Sequence, residues 1–424
     1  MAKLAINGGK AVLPKGLGVK WPQFDKKDEA ALLRVFRSGK WWRGGDIKSQ
    51  AESECGTFER KFAKYQSSDH GLCVFNGTVA VECALRAAGV KAGDEVVVPT
   101  MSFVVSASAA LPLSAIPVFA DCDPKTYQPD PDSIEAAITP RTAAIVIVHF
   151  GGYPADLDRI VKIAKKHNLP LIEDCAHSQG SQWRGKGVGS YGEYGTFSFQ
   201  QSKALTAGEG GIILARNEEL WQAAYRFHNL GRLENSGFYQ FFLPSSNFRL
   251  TDLQGALLNT QFEKLKVQVP QKMKAAKYLS DQLEKLGGIS ALPRDPRITR
   301  RGYYYLVLKY NPAEFKGLHR EDFLKAVQAE GVGMGHAYGT PIHKYPLFQD
   351  MKVPAKYAKS QYKKVSCPVA ERILADELIS FHQANLLADR KGLEKVIEAV
   401  AKVKANVDEL LPKKPCSCKG SKKK

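Results

Sequence analysis

Thr196-Phe-Ser-Phe-Gln-Gln-Ser-Lys-Ala-Leu-Thr-Ala-Gly-Glu-Gly-Gly211 sets one lysine, Lys203, in a polar turn between two strand-like segments. Gly195 to Phe199 alternates aromatic and small residues, and Gly211-Ile-Ile-Leu-Ala215 is a short apolar run, so the lysine lies on the connection between two buried strands. Connections at strand ends are where α/β proteins concentrate their ligand sites. Ser198, Ser202 and Thr206 surround the lysine, and Gly208, Gly210 and Gly211 follow it. That setting suits an amine forming a Schiff base beside a bound phosphate. The ordinary alternative is a solvated surface charge, one of 61 Lys and Arg residues.

Outward from this turn, residues 71–216 alternate short apolar runs with helix-like segments, the pattern of βα units around a mostly parallel sheet. Strands are expected at Leu72–Phe75, Glu95–Val98, Ile116–Ala120, Ala143–His149 and Pro170–Asp174. Helices are expected at Thr78–Ala88, Val104–Leu111, Pro131–Ala137 and Asp156–His167. After Thr251 the texture changes to two long amphipathic helices, Asp252–Lys266 and Val269–Leu286, then a strand near Tyr303–Leu308 and helices near Arg320–Glu330 and Lys391–Leu411. The expected organisation is an N-terminal arm and large α/β domain over 1–266, a smaller α+β domain over 267–412, and a basic, disordered tail over 413–424.

With 424 residues, 44% hydrophobic and 10% aromatic, the chain can bury a core of that size. It shows neither an apolar leader nor a run of membrane-spanning length, so a cytoplasmic protein without a membrane partner is expected. Eight scattered cysteines form no CxxC or Cys/His pair, which points to reduced thiols and no metal site. The net charge of +18 raises the possibility of nucleic acid. Six of the lysines, however, crowd into the tail after Pro412, others sit singly along helices, and no DNA- or RNA-reading motif is present, so no nucleic-acid partner is expected.

Three further segments carry chemistry. Leu169-Pro-Leu-Ile-Glu-Asp-Cys-Ala-His177 ends a strand in an acidic pair followed by a histidine. Asp174 and Glu173 face opposite sides of that strand; Asp174 is the site candidate, and Glu173 suits a structural role. Asn76-Gly-Thr-Val-Ala80 joins a strand to a helix and offers free N–H groups and a hydroxyl, the geometry that binds phosphate, although a plain cap looks the same. Pro99-Thr-Met-Ser-Phe103 follows another strand, and its phenylalanine is either a core residue or a ring that stacks on a ligand.

Taken in order, Gly77-Thr78, Phe103, Asp174-x-x-His177, Ser198, Lys203 and Asn247 resemble the DegT/StrS family of sugar aminotransferases, over about Trp21 to Leu410. The resemblance implies the fold type I architecture of pyridoxal 5'-phosphate (PLP) transferases, α/β with a large mostly parallel-sheet domain and a smaller α+β C-terminal domain. It implies PLP as cofactor, an internal aldimine on Lys203 and a partner for the pyridine nitrogen in Asp174. It also implies phosphate contacts from Gly77, Thr78 and Ser198, stacking by Phe103, and His177 near the ring oxygen. Asn247, in Ser246-Asn-Phe-Arg249, corresponds to an asparagine that reaches the neighbouring subunit's cofactor, which implies a homodimer with shared sites. The segments His228-Asn-Leu-Gly-Arg232 and Tyr338-Gly-Thr-Pro-Ile-His343 are similar to stretches that approach substrate, making His228, Arg232, Tyr338 and His343 substrate candidates.

Leu4-Ala-Ile-Asn-Gly-Gly9 and Trp41-Trp42-Arg43-Gly44-Gly45 look like the branch that acts on cyclitols, together with 3-amino-5-hydroxybenzoate synthases. The implied activity is ping-pong transfer of an amino group from glutamate or glutamine to a keto-sugar or keto-cyclitol. A dehydratase or aromatising synthase with the same cofactor is the alternative. Sugar dehydratases of the group carry histidine in place of the lysine, so Lys203 favours transamination. From a different class, a cofactor-binding regulator without catalysis would share the same motifs.

Overall fold

The computed structural model describes residues 3–44, 47–233, 236–237, 239–350 and 362–412. Gly45 and the lysine-rich tail from 413 onward therefore lie outside the described residues. The central strands are β1 (His70–Val74), β2 (Glu95–Pro99), β3 (Ile116–Ala120), β4 (Thr142–Val148), β5 (Leu171–Asp174), β6 (Tyr194–Ser198) and β7 (Gly211–Ala215). They form one seven-stranded sheet in the order β1-β7-β6-β5-β4-β2-β3. Only β7 runs against its neighbours, pairing antiparallel with both β1 and β6.

Parallel strands need crossovers, and the crossover helices cover both faces, which is why these strands are buried and mostly apolar on both sides. Val96, Val98, Val146, Val148, Ile172 and Ile213 pack on one face beneath α3 (Gly77–Ala87) and α5 (Glu218–His228). Val97, Ile145, Ile147, Leu171, Ile212 and Leu214 pack on the other against α2 (Glu54–Tyr65) and α4 (Leu157–Lys166), which follow α1 (Lys26–Ser38) in chain order. The sheet alternation thus divides the large core into two halves. All parallel strands end at one edge, where β6 turns through the Lys203 loop into β7.

The two helices expected after Thr251 are a single helix, α6 (Asp252–Leu286), with Pro270 inside it. Proline removes one helical hydrogen bond and crowds the preceding turn. Here it sits on the exposed side, while Phe262, Leu265 and Val269 anchor one end in the large core and Ala276, Leu279 and Leu283 anchor the other end in a second core. Packing at both ends overrides the local breaker. The hand-over between cores falls between Met273 and Ala275, so a boundary at 266/267 lies within a continuous helix.

The second core is built on an antiparallel sheet of β8 (Ile289–Ala291), β9 (Tyr305–Tyr310), β10 (Met334–Gly335) and β11 (Leu378–His382), in the order β8-β9-β11-β10. The helices α7 (Arg320–Ala329) and α8 (Arg390–Ala405) pack against it. The N-terminal arm belongs to this core and not to the large one: Leu4 is fully buried there, with Val12, Leu13 and Leu17 beside it. Buried Glu330 pins the arm, its Oε1 accepting from the Ala5 N–H (2.8 Å) and its Oε2 from the Val12 N–H (3.1 Å) and Lys402 Nζ (2.9 Å). No helix among the described residues is long and apolar enough to cross a membrane.

Glu330→Ala would leave the Ala5 and Val12 amides without their acceptor and the Lys402 ammonium with only the Lys10 carbonyl. It should cost about 3 kcal/mol in urea unfolding and speed tryptic cleavage at Lys10 and Lys15; unchanged cleavage would show that the arm is held by other contacts.

Candidate active site

At the sheet edge a cavity of about 480 Å³ opens between the two cores. That lies within the range of roughly 300–1,000 Å³ typical of small-molecule sites. Of the residues singled out in the sequence, Gly77, Thr78, Phe103, Asp174, His177, Ser198, Lys203 and Tyr338 line it.

Asp174 is the last residue of β5, and its side chain falls on the α3 face because strand residues alternate. It is 5% exposed. Ser106 Oγ donates to its Oδ2 (2.6 Å), the Ala176 N–H donates to its Oδ1 (3.1 Å), and Ser102 Oγ lies 2.9 Å from Ser106 Oγ. Glu173 faces the opposite way and is fully buried. It accepts from the N–H groups of Gly189 (2.8 Å), Tyr191 (2.7 Å) and Gly192 (2.8 Å) and from His149 Nε2 (3.0 Å). His149 in turn accepts from the Ala155 N–H at Nδ1, which places its proton on Nε2. With Cys175 these two form a compact His/Glu/Cys group. The ring nitrogens of His149 and the oxygens of Glu173 are already engaged, so the group is a structural brace beneath the site.

Lys203 Nζ lies 4.2 Å from the centroid of the Tyr304 ring. Burial lowers its pKa, with Tyr304 and Asp174 pulling the other way. The loop around it is held by its own backbone: Lys203 N–H donates to Gln200 O and Gln201 N–H to Gly208 O (both 2.8 Å). His177 is pushed well below its usual pKa by burial and then by the Lys203 charge, so it stands neutral. Its Nδ1 accepts from the Gly151 N–H (3.4 Å), leaving Nε2–H to donate to Tyr338 Oη (3.1 Å).

Asn76 caps α3 by accepting from the Val79 N–H (3.0 Å), and the next two residues open the helix toward the cavity. A Cβ on Gly77 would come within 2.6 Å of Ser198 Cβ, so only glycine lets the helix start press against that serine. Phe103 is 54% exposed at the cavity rim, its ring centroid 6.3 Å from that of Tyr338.

The other four candidates are not in the cavity. Asn247 is exposed and outside it, bridged to Asn229. Arg232 packs its guanidinium over Phe241 (5.0 Å). His228 is fully buried among core residues, and burial followed by the charges of Arg43 and Arg249 keeps it neutral. His343 is buried as a strut, with Nδ1 2.6 Å from Thr100 Oγ1 and Nε2 3.1 Å from Glu371 Oε1. Neither His228 nor His343 lines the cavity of this chain. Sequence reasoning missed Ser102, Ser106, Gln200, Tyr304 and Tyr305 as lining or supporting residues. The triplet Tyr303-Tyr304-Tyr305 was a visible signal, but nothing local ties it to Lys203.

Residues 22–401 match the DegT/DnrJ/EryC1/StrS aminotransferase family. The chain belongs to that family. It is therefore an aminotransferase-family enzyme of the PLP-dependent type I fold, and the sheet and cavity above are that fold's. A Streptomyces kanamyceticus relative provisionally named L-glutamine:3-amino-2,3-dideoxy-scyllo-inosose aminotransferase is 41% identical, covering 96% of this chain and 98% of the relative. L-glutamine:2-deoxy-scyllo-inosose aminotransferase of Streptoalloteichus tenebrarius is 37% identical over 96% of this chain and 99% of its own. Among solved structures, 3-amino-5-hydroxybenzoic acid synthase superposes with a TM-score of 0.82 at 31% identity, covering 92% of this chain and all of that one.

The brace beneath the site gives a pH-dependent prediction. Burial raises the Glu173 pKa, but His149 and the amides of Gly189 and Gly192 outweigh it and leave the group below its ordinary value. Its contribution to stability is thus fully present above the unfolded value of about 4.3 and is lost as pH falls through the lower folded value. Glu173→Gln should lose about 2–4 kcal/mol at neutral pH and show a flatter loss of stability on acidification. Parallel stability curves for the two proteins below pH 5 would remove this role.

Proposed function

We propose that the enzyme moves an amino group from glutamine or glutamate to a keto-cyclitol or a related keto-sugar, with PLP held in the cavity at Lys203. The observation that carries this reading is a half-buried amine and a buried carboxylate lining one cavity beside a helix N-terminus, in a chain whose relatives bear inosose aminotransferase names.

The residues fit the cofactor. The start of α3 with Gly77, Thr78 and the Ser198 hydroxyl suits a phosphate dianion, and the missing Cβ of Gly77 keeps that cradle open. Asp174, fixed by Ser106 and the Ala176 N–H, suits a protonated pyridine nitrogen. Phe103 offers a ring face, and the neutral His177 adds no second cation near Lys203. When bound, PLP supplies an electron sink and carries the amino group between half-reactions.

The chain's own residues do the rest. Lys203 Nζ, its pKa lowered by burial, takes a proton at the donor α-carbon and, in the second half-reaction, delivers one to the carbon that becomes amine-bearing. Asp174 stays in place as a counter-charge and does not move a proton. The walls contributed by Tyr304, Tyr305 and Tyr338 limit water around the exchanging proton.

We assign Asn247 to the cofactor of a second subunit. Its exposure outside its own cavity supports this, as do the exposed Trp41, Trp42, Phe241 and Phe242 of an apolar surface that suits a homodimer. Among the described residues six cysteines are buried and free of disulfides, which suits a reducing, cytoplasmic location. The likeness to 3-amino-5-hydroxybenzoic acid synthase favours a dehydrating, aromatising activity as the second reading. Product analysis with scyllo-inosose, nucleotide-linked keto-sugars and aminodehydroshikimate separates the two.

Lys203→Ala should abolish the visible band that borohydride removes from the PLP-loaded protein and cut turnover by at least about a thousandfold. Asp174→Asn should keep the fold, by circular dichroism, and still lose about a hundredfold or more in turnover. Full activity in either variant would end the proposal.

A further inference from the structure

Tyr304 stands just before β9, a strand of the second sheet, yet reaches the lysine loop of the first. It is 6% exposed, and its backbone is held on both sides: its N–H donates to Gly151 O (3.4 Å), and its carbonyl accepts from the Gln383 N–H (3.0 Å). Its ring stacks on His177 at 4.2 Å between centroids and 25° between planes, and Lys203 Nζ lies 4.2 Å from the same centroid. Its hydroxyl lies 2.9 Å from Ser202 Oγ. Ser202 spends its own proton on Gln200 Oε1 (2.7 Å), which can only accept, so Tyr304 is the donor to Ser202.

We infer that Tyr304 is a positioning residue for Lys203: its ring face holds the protonated amine, and its hydroxyl fixes the loop one residue away. The inference rests on the reading of Lys203 as the reactive amine. Its physical basis is general. An ammonium removed from water is destabilised, and an aromatic face within about 6 Å returns part of that loss through the ring quadrupole. The groups facing Lys203 are Asp174, His177 and Glu209 from the large sheet and its loops, Tyr304 and Tyr305 at the start of β9, Tyr338 in the loop after β10, and His382 at the end of β11. Burial keeps both histidines neutral and the hydroxyls of Tyr305 and Tyr338 protonated. Neither histidine thus competes for the cation, and the ring adds to Asp174 in favouring it. The consequence for the reaction is that Nζ can hold a proton between taking it and delivering it, with the ring face and Asp174 making up for the water that its partial burial removes.

The test reads the lysine and not turnover. In the full chain stripped of cofactor, competitive acetylation across a pH series, with the Lys203 peptide quantified by mass spectrometry, gives the titration midpoint of Nζ. Tyr304→Phe keeps the ring face and loses only the hydroxyl, so its midpoint should match the native one, while hydrogen exchange in residues 200–208 speeds up. Tyr304→pentafluorophenylalanine keeps the shape but removes the negative face, and its midpoint should fall by about one pH unit. Tyr304→Leu, which deletes the face, should show the same fall by an independent route. A pentafluoro variant that titrates with Tyr304→Phe, or a Phe variant that falls as far as Leu, would overturn the inference. These midpoints are measured without cofactor or substrate, so they stand apart from the transamination reading, which fails instead if Lys203 carries no PLP.

Discussion

Two adjacent carboxylates at the end of β5 set the terms for the rest of the molecule. A strand turns successive side chains to opposite faces, so Glu173 and Asp174 cannot share an environment. Glu173 is fully buried and accepts four hydrogen bonds from the loop at Gly189–Gly192 and from His149. That saturated acceptor fixes the strand end, and the fixed strand end aims Asp174 at the cavity. One acid is immobilised so that its neighbour can be positioned.

The Lys203 loop depends on a second constraint, the reversal of β7. A parallel successor to β6 would need a crossover of a dozen or more residues and would carry the chain to the far edge of the sheet. The antiparallel pairing of Ser198 with Gly211 instead spends the twelve intervening residues on a loop that stays at the carboxyl ends of the parallel strands. Lys203, Ser198 and Asp174 are therefore set by neighbouring registers of one sheet: Asp174 opposite Thr196, and Ser198 opposite Gly211. The site has little freedom to rearrange unless the sheet slips.

What the sequence disclosed follows from how local each signal is. Ile116–Ala120 is read to the residue because a buried parallel strand leaves an uninterrupted apolar run between turn residues. Lys203, Asp174, Ser198 and Gly77 are legible because each sits where an apolar run stops. Pro270 misleads, since a breaker is a local property and the anchoring of α6 in two cores is not. His228 and His343 show the limit of a local signal. A histidine beside a plausible motif looks the same whether it lines the cavity or, like His343, bonds Thr100 and Glu371 outside it. Ser106 and Tyr304 stay hidden because their role consists entirely of partners distant in sequence.

The division of labour between the two cores explains why a long, proline-interrupted helix is retained. The large sheet brings Lys203, Asp174 and the helix start at Gly77 to one end of the cavity. The start of β9 adds Tyr304 and Tyr305, and the loop after β10 adds Tyr338, which close the cavity and touch the lysine and the histidine. A half-buried ammonium beside a buried carboxylate is costly unless its surroundings are held in place. α6 runs unbroken from one core into the other, and buried side chains on both sides of Pro270 make bending there expensive for both. That link between the cores adds to the direct contacts by which Tyr304 meets the large unit, its hydroxyl on Ser202 of the lysine loop and its N–H on Gly151 O.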